Sequence, residues 1–292
     1  MKGGDIASLV CRSGWLGLAL SITLVAGSAS AQRFRGFSSD IQTAREAPGA
    51  EYIPVWTNAP AFKKDVFTFV RLRYSTTSFD RRGGRRWSTD FPDADLNLSF
   101  RIQQMTSLKV DPNGLVLDIT DPRLFKFPWV YMVEPGGLRF SEEEVTTLRR
   151  YFFNGGFMMV DDFWGEDEWE NFYTEIKRVF PDREPVELDM KHPIFHTVFD
   201  IRLAKNEMQV PAVDRGVASQ YNGITWERTD AREVHFKGIF DDKNRMMVFI
   251  AHNTDNGDGW EREGENHYYF KEFSEKKAYP LGINVIFYAM TH

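Results

Sequence analysis

Residues 141–165, SEEEVTTLRRYFFNGGFMMVDDFWG, decide how this chain folds. Ser141 and Glu144 form a capping box, in which each side chain satisfies an amide donor at a helix start. Val145, Leu148 and Phe152 follow at helical spacing and give that helix one buried stripe. Asn154-Gly155-Gly156 supplies the left-handed turn that stops it. The unbroken apolar run Phe157 to Val160 then reads as a central strand covered on both faces, and it ends at Asp161-Asp162. From about Glu166 to Val179 a second helix follows, lined by Trp169, Phe172, Tyr173, Ile176 and Val179. Its acidic start, Glu166-Asp167-Glu168, suits the positive end of the helix dipole, and Pro181 terminates it. Helices and strands in this rhythm indicate βαβ units and a largely parallel sheet.

Working outward, Val66 to Tyr74, Leu115 to Thr120, Trp129 to Glu134 and Met246 to Ala251 read as further strands. Trp87-Ser88-Thr89-Asp90-Phe91-Pro92 leads into a helix with Leu98, Ile102 and Met105 at helical spacing. Pro280 to Met290 reads as a buried closing helix. The basic stretch Arg81-Arg82-Gly83-Gly84-Arg85-Arg86 has two readings, a solvated loop and an anion-binding loop. Residues 32 to about 62 show neither helical nor strand periodicity and read as a linker or N-terminal extension.

The chain has 292 residues, a formal charge of −6 and a single cysteine, Cys11. That cysteine falls in a secretory signal peptide: Lys2 and Arg12 are basic, Trp15 to Ala26 is apolar, and Ala29-Ser30-Ala31 matches the cleavage pattern. Cleavage there would make Gln32 the mature N-terminus and place the protein in the periplasm or outside the cell. An uncleaved N-terminal anchor is the alternative. The mature chain has 34 basic and 41 acidic residues, no cysteine and no transmembrane span. Disulfides, thiolate nucleophiles and cysteine-held metals are excluded together, and the negative charge argues against nucleic acid as the partner. Its 261 residues suffice for one large core, so a single domain over 63–292 is expected.

Ligands of parallel α/β sheets sit beyond the carboxyl ends of the strands. Asp161, Asp162 and Glu134 fall there, as do Asp118 and Asp121 by the same rule. Two readings stand for Asp161-Asp162: capping of the next helix with Gly165 as the turn, or a metal- or substrate-binding carboxylate. His192, held rigid by Pro193, reads either as an acid–base group or metal ligand or as a loop histidine packed on aromatic rings. His252 opens His252-Asn253-Thr254-Asp255-Asn256-Gly257-Asp258-Gly259, an acidic loop without the spacing of a calcium-binding loop. No nucleophile elbow of the G-x-S-x-G type, P-loop, dinucleotide fingerprint or H-E-x-x-H occurs.

An ordered series of motifs resembles the bacterial domain of unknown function 4159 family: Trp87 to Pro92 with Asp95, Asp121-Pro122 with Leu124-Phe125, and Gly155-Gly156-Phe157 to Asp161-Asp162-Phe163-Trp164-Gly165. His192-Pro193-Ile194-Phe195-His196 continues it, with Asn253, Asp255, Gly257-Asp258 and Trp260-Glu261, and then Gly282-Ile283-Asn284 with Tyr288 to Thr291. The family is similar to the class I glutamine amidotransferase-like superfamily and its trehalose-utilisation branch. The resemblance implies a flavodoxin-like three-layer αβα sandwich with a mostly parallel sheet. It places Asp161 or Asp162 at the nucleophile elbow and His192 at the histidine position. It also implies partners in an envelope complex, a MoxR-type ATPase or von Willebrand factor A-domain proteins. An amidotransferase needs a cysteine at the elbow, so glutamine hydrolysis by that route is excluded.

Two functions remain. One is an exported binding protein on an amidotransferase-like frame, with Asp90, Asp95, Glu134, Trp164, His252 and Asp255 as ligand-binding candidates. The other is a hydrolase of a carbohydrate or envelope substrate that uses Asp161, Asp162 and His192, with or without a divalent metal as its one cofactor. A purely structural role accounts least well for these residues.

Overall fold

The structure is a computed structural model that describes residues 40–62, 65–76 and 86–292. The segment expected as a signal peptide and Arg81 to Arg85 lie outside the described residues. The protein is α/β, with a seven-stranded sheet: β1 Val70–Arg73, β2 Leu115–Asp118, β3 Trp129–Val133, β4 Phe157–Asp161, β5 Val186–Glu187, β6 His235–Phe240 and β7 Met246–His252, in the order β2-β1-β3-β4-β7-β6-β5. From β2 to β7 every pairing is parallel, with Trp129 opposite Phe157 and Met158 opposite Val248. The last two strands turn back: β6 runs antiparallel to β7, with His235 opposite His252 and Phe240 opposite Met246, and β5 runs antiparallel to β6.

The 141–165 unit forms as its residues dictate. The capping box of Ser141 and Glu144 opens helix α2, Glu142–Phe153, once α1, Asp93–Met105, has been laid down before it. Gly155 takes φ 100°, a conformation costly for any residue with a Cβ. All five residues of β4 are buried. Alternation along the strands feeds two apolar clusters, one for each side of the sheet. Val130, Met132, Met158 and Val160 join Leu148 of α2 and Phe172 of α3, Gly165–Val179. Trp129, Tyr131 and Met159 join Leu98 of α1 and Ile283 of the closing helix.

The remaining helices are α4 Val213–Asn222, α5 Asn256–Glu261, α6 His267–Tyr269 and α7 Tyr279–Thr291. A π-helical run, Phe270–Ala278, joins α6 to α7. Among the described residues, no helix is long and apolar enough to cross a membrane.

The segment expected as a linker or extension is packed from its described start. Ile41, Ala44, Ala47, Ala50 and Ile53 are buried in the same cluster as α2 and α3. Arg45 fixes it by donating to the carbonyls of Pro112, Ala50, Ile53 and Pro54.

Candidate functional site

Strands β1, β3, β4 and β7 are parallel, so their carboxyl ends share one rim, and the chain leaving each end carries acids there. Among the described residues, four of the five non-glycine residues with positive φ lie on these exits: Asp90 (60°), Glu134 (47°), Asp162 (56°) and Asn253 (61°). Backbone held in the left-handed region by residues other than glycine is costly, and it concentrates where function fixes side-chain direction.

One carboxylate oxygen each from Asp90, Asp162 and Asp255 lie within 4.8 Å of one another, and so do oxygens from Asp90, Asp258 and Glu261. Asp90 belongs to both groups. Four of the five are almost wholly buried, and Glu261 is 17 % exposed. Burial raises the carboxyl of Asp90 well above the usual range, and Glu261, Asp258 and Asp162 raise it further. Asp162 rises through burial and then Glu134 and Glu227, and Asp255 through burial and then Asp162 and Asp258. Glu261 is pushed up to about 8 by burial, against the pull of Arg262, whose Nε lies 2.8 Å from it.

Neighbouring donors fix these carboxylates. Trp164 Nε1 donates to Asp162 at 3.0 Å. The Asp258 amide donates to Asp255 at 2.8 Å, which makes Asp255 the N-cap of α5, and the Val213 amide donates to Asp258 at 3.1 Å. Asp90 is set by its own loop. Arg71, wholly buried on β1, donates to the carbonyls of Trp87 and Thr89 and ion-pairs with Asp95 of α1. Glu134 accepts from Thr89 Oγ1 at 3.0 Å, on the other side of the same loop.

The two adjacent aspartates part company. Asp161 is wholly buried and accepts from Tyr131 Oη, Asn256 Nδ2 and the Gly257 amide, at 3.1, 2.8 and 3.1 Å. It ties α5 to the sheet and has no place in the carboxylate groups, which take Asp162 alone. Neither aspartate caps α3. The amides of Gly165 and Glu166 donate instead to Asn253 Oδ1 and Asp230 Oδ2.

His192 lies away from this rim. Its ring packs 5.5 Å from Tyr288 and 6.3 Å from Phe240, and its Nδ1 accepts the Ile194 amide. Phe240 pairs with Met246, the first residue of β7, so His192 lies at the amino end of the parallel strands. With about 3.3 Å per residue, the six-residue step to His252 puts it roughly 20 Å from the carboxyl rim. A proton or a metal shared between His192 and Asp161 or Asp162 is out of reach.

Of the other candidates, Asp90, Asp162 and Asp255 meet in one carboxylate cluster, Glu134 flanks it, and Trp164 orients Asp162. The carboxylate of Asp95 is taken up by Arg71. His252 packs against Phe163 and Trp169, with Nε2 on the Gly165 carbonyl at 3.1 Å. Asp118 is exposed, and Asp121 caps a short turn through the Arg123 amide. The sequence reading missed Asp258 and Glu261. Asp255, Asp258 and Glu261 are spaced by three, one side of a helical turn, a signal hidden while Asn256–Glu261 read as loop.

With this geometry in place, comparison with known families identifies the chain. Residues 68–290 match the family described as Domain of unknown function (DUF4159), and the chain belongs to it. No curated protein matches the chain.

Proposed function

We propose that this protein is an exported, envelope-associated binding protein on a class I glutamine amidotransferase-like, flavodoxin-like three-layer scaffold without the cysteine nucleophile. The observation that carries this reading is the buried carboxylate cluster. Where β4 ends, Asp162 stands in left-handed backbone and converges with Asp90 and Asp255. The apolar clusters on both sides of the sheet support the three-layer arrangement. So dense an anionic cluster takes a ligand that brings hydrogen-bond donors or positive charge. A MoxR-type ATPase or a von Willebrand factor A-domain protein would be its envelope partner.

The test is a thermal-shift screen of sugars and peptidoglycan fragments on the wild type and on Asp255→Asn. Asparagine keeps the N-cap of α5 and removes the charge. A ligand at a hundred times its Kd stabilises the wild type by about 2.7 kcal/mol, and that shift should vanish in the variant. Ligands that stabilise both proteins equally would place binding elsewhere. N-terminal sequencing of the envelope fraction should begin at Gln32, and a start at Met1 counts against cleavage.

One observation favours the hydrolase alternative: three carboxylates converge at each of two adjoining points, a donor set suited to activating water through a metal. Such an enzyme works without His192.

A further inference from the structure

We propose that Asp90, Asp162, Asp255, Asp258 and Glu261 hold a pair of divalent cations, with Asp90 as the ligand common to both. This deepens the reading of the carboxylate cluster as the working site and rests on it.

The acids alone would not establish a metal site. The decisive atom is Asp90 Oδ2. Asp90 is 9 % exposed, and no donor among the described residues reaches this oxygen. It lies over Gly257, at the start of α5, where an ideal Cβ on that glycine would come within 2.1 Å of it. A buried carboxylate oxygen with no donor requires a proton or a cation. The surroundings favour a cation. Oxygens no more than 4.8 Å apart can reach one ion at the 2.0–2.6 Å typical of magnesium and calcium. The two groups share one residue, as expected where two ions sit about 4 Å apart and a carboxylate bridges them.

Charge gives the number of ions. Two divalent ions and the Arg262 guanidinium balance the five carboxylates. The donor set gives their class. It is all carboxylate oxygen, without histidine or cysteine, which selects hard ions such as magnesium, manganese or calcium over zinc or copper. The supporting shell is already in place. Trp164 holds one oxygen of Asp162, the Asp258 amide one of Asp255, and the Val213 amide one of Asp258. Each contact orients a ligand and leaves its other oxygen for the ion.

The experiment uses the purified full chain, stripped with chelator and titrated with manganese alone, without any organic ligand. Equilibrium binding gives the stoichiometry, and low-temperature electron paramagnetic resonance reports whether the ions are spin-coupled. The expected result is two ions per chain, a coupled spectrum, and a melting temperature that rises with metal. In Asp90→Asn the coupling should disappear and affinity fall at least about 100-fold, the upper range for loss of even an outer-shell partner. Trp164→Phe, which leaves all five ligands in place, should weaken binding about tenfold. One ion per chain, no ion, or a coupled pair that survives in Asp90→Asn overturns the proposal. Because the ligand screen runs without metal and this titration without ligand, either reading can fail separately.

Discussion

Asp90 Oδ2 and Gly257 occupy space that only glycine can leave open. A Cβ at 257 would overlap that oxygen and come within 3.2 Å of Tyr131 Oη. Gly257→Ala should therefore cost about 1–3 kcal/mol through overpacking, with a loss of binding at the carboxylate cluster larger than the loss of stability. Denaturant titration and ligand shift measured on one sample check this, and intact binding in a destabilised variant would contradict it.

His252 carries the clearest pH dependence. Burial, with smaller contributions from His235 and Lys237, pushes its imidazole down to about 4 from 6.5. The folded state thus prefers the neutral ring. That stability is fully present above pH 6.5 and is lost as pH falls towards 4. Against His252→Phe, the wild type should lose on the order of 3 kcal/mol between pH 7 and pH 4. Parallel declines in the two proteins would refute the assignment. At this scale the sequence told most about residues whose position follows from a strand end, such as Asp162. It told least about Asp95, whose buried partner Arg71 is 24 positions away.

Among the elements, the helix–turn–strand unit around Gly155 was readable because cap, stripe, turn and strand all agree. The N-terminal extension was not, for a specific reason. Its buried residues, 41, 44, 47, 50 and 53, recur every third position through short 3₁₀ turns, a period that helix and strand templates both miss. Ala44 is wholly buried, so Ala44→Glu should cost about 3 kcal/mol or more by burying an unpaired charge. A change within experimental error would show that the extension is detachable. Strand β6 was missed too, because His235, Lys237 and Gly238 interrupt its apolar pattern near the edge of the sheet. The Arg71–Asp95 pair links β1, α1 and the Asp90 loop. Asp95→Ala should cost about 3–5 kcal/mol by leaving a buried guanidinium unpaired, and affinity at the carboxylate cluster should fall with it. Retained affinity would mean that the loop is held without Arg71.

At the scale of the molecule, the parallel sheet and its carboxyl rim were legible. The position of His192 was not. A His-Pro pair carries no information about which end of a sheet it reaches, and the segment around it lacks the periodicity that would give direction. The carboxylate cluster draws on the loop before α1, the end of β4 and the turn into α5, and no local pattern announces that these meet. Asp161 shows how they are brought together, since one carboxylate gathers Tyr131, Asn256 and Gly257.

The contact between Trp164 and Asp162 gives the molecule an internal optical probe. The indole Nε1 donates straight to a carboxylate of the cluster, so any change in that carboxylate's charge alters the polarity the indole senses. Binding at the cluster should shift the emission of Trp164, and a paramagnetic ion such as manganese should quench it. With eight tryptophans in the chain, the difference between wild type and Trp164→Phe isolates the signal. Identical spectra in the presence and absence of ligand would mean that Asp162 takes no part in binding.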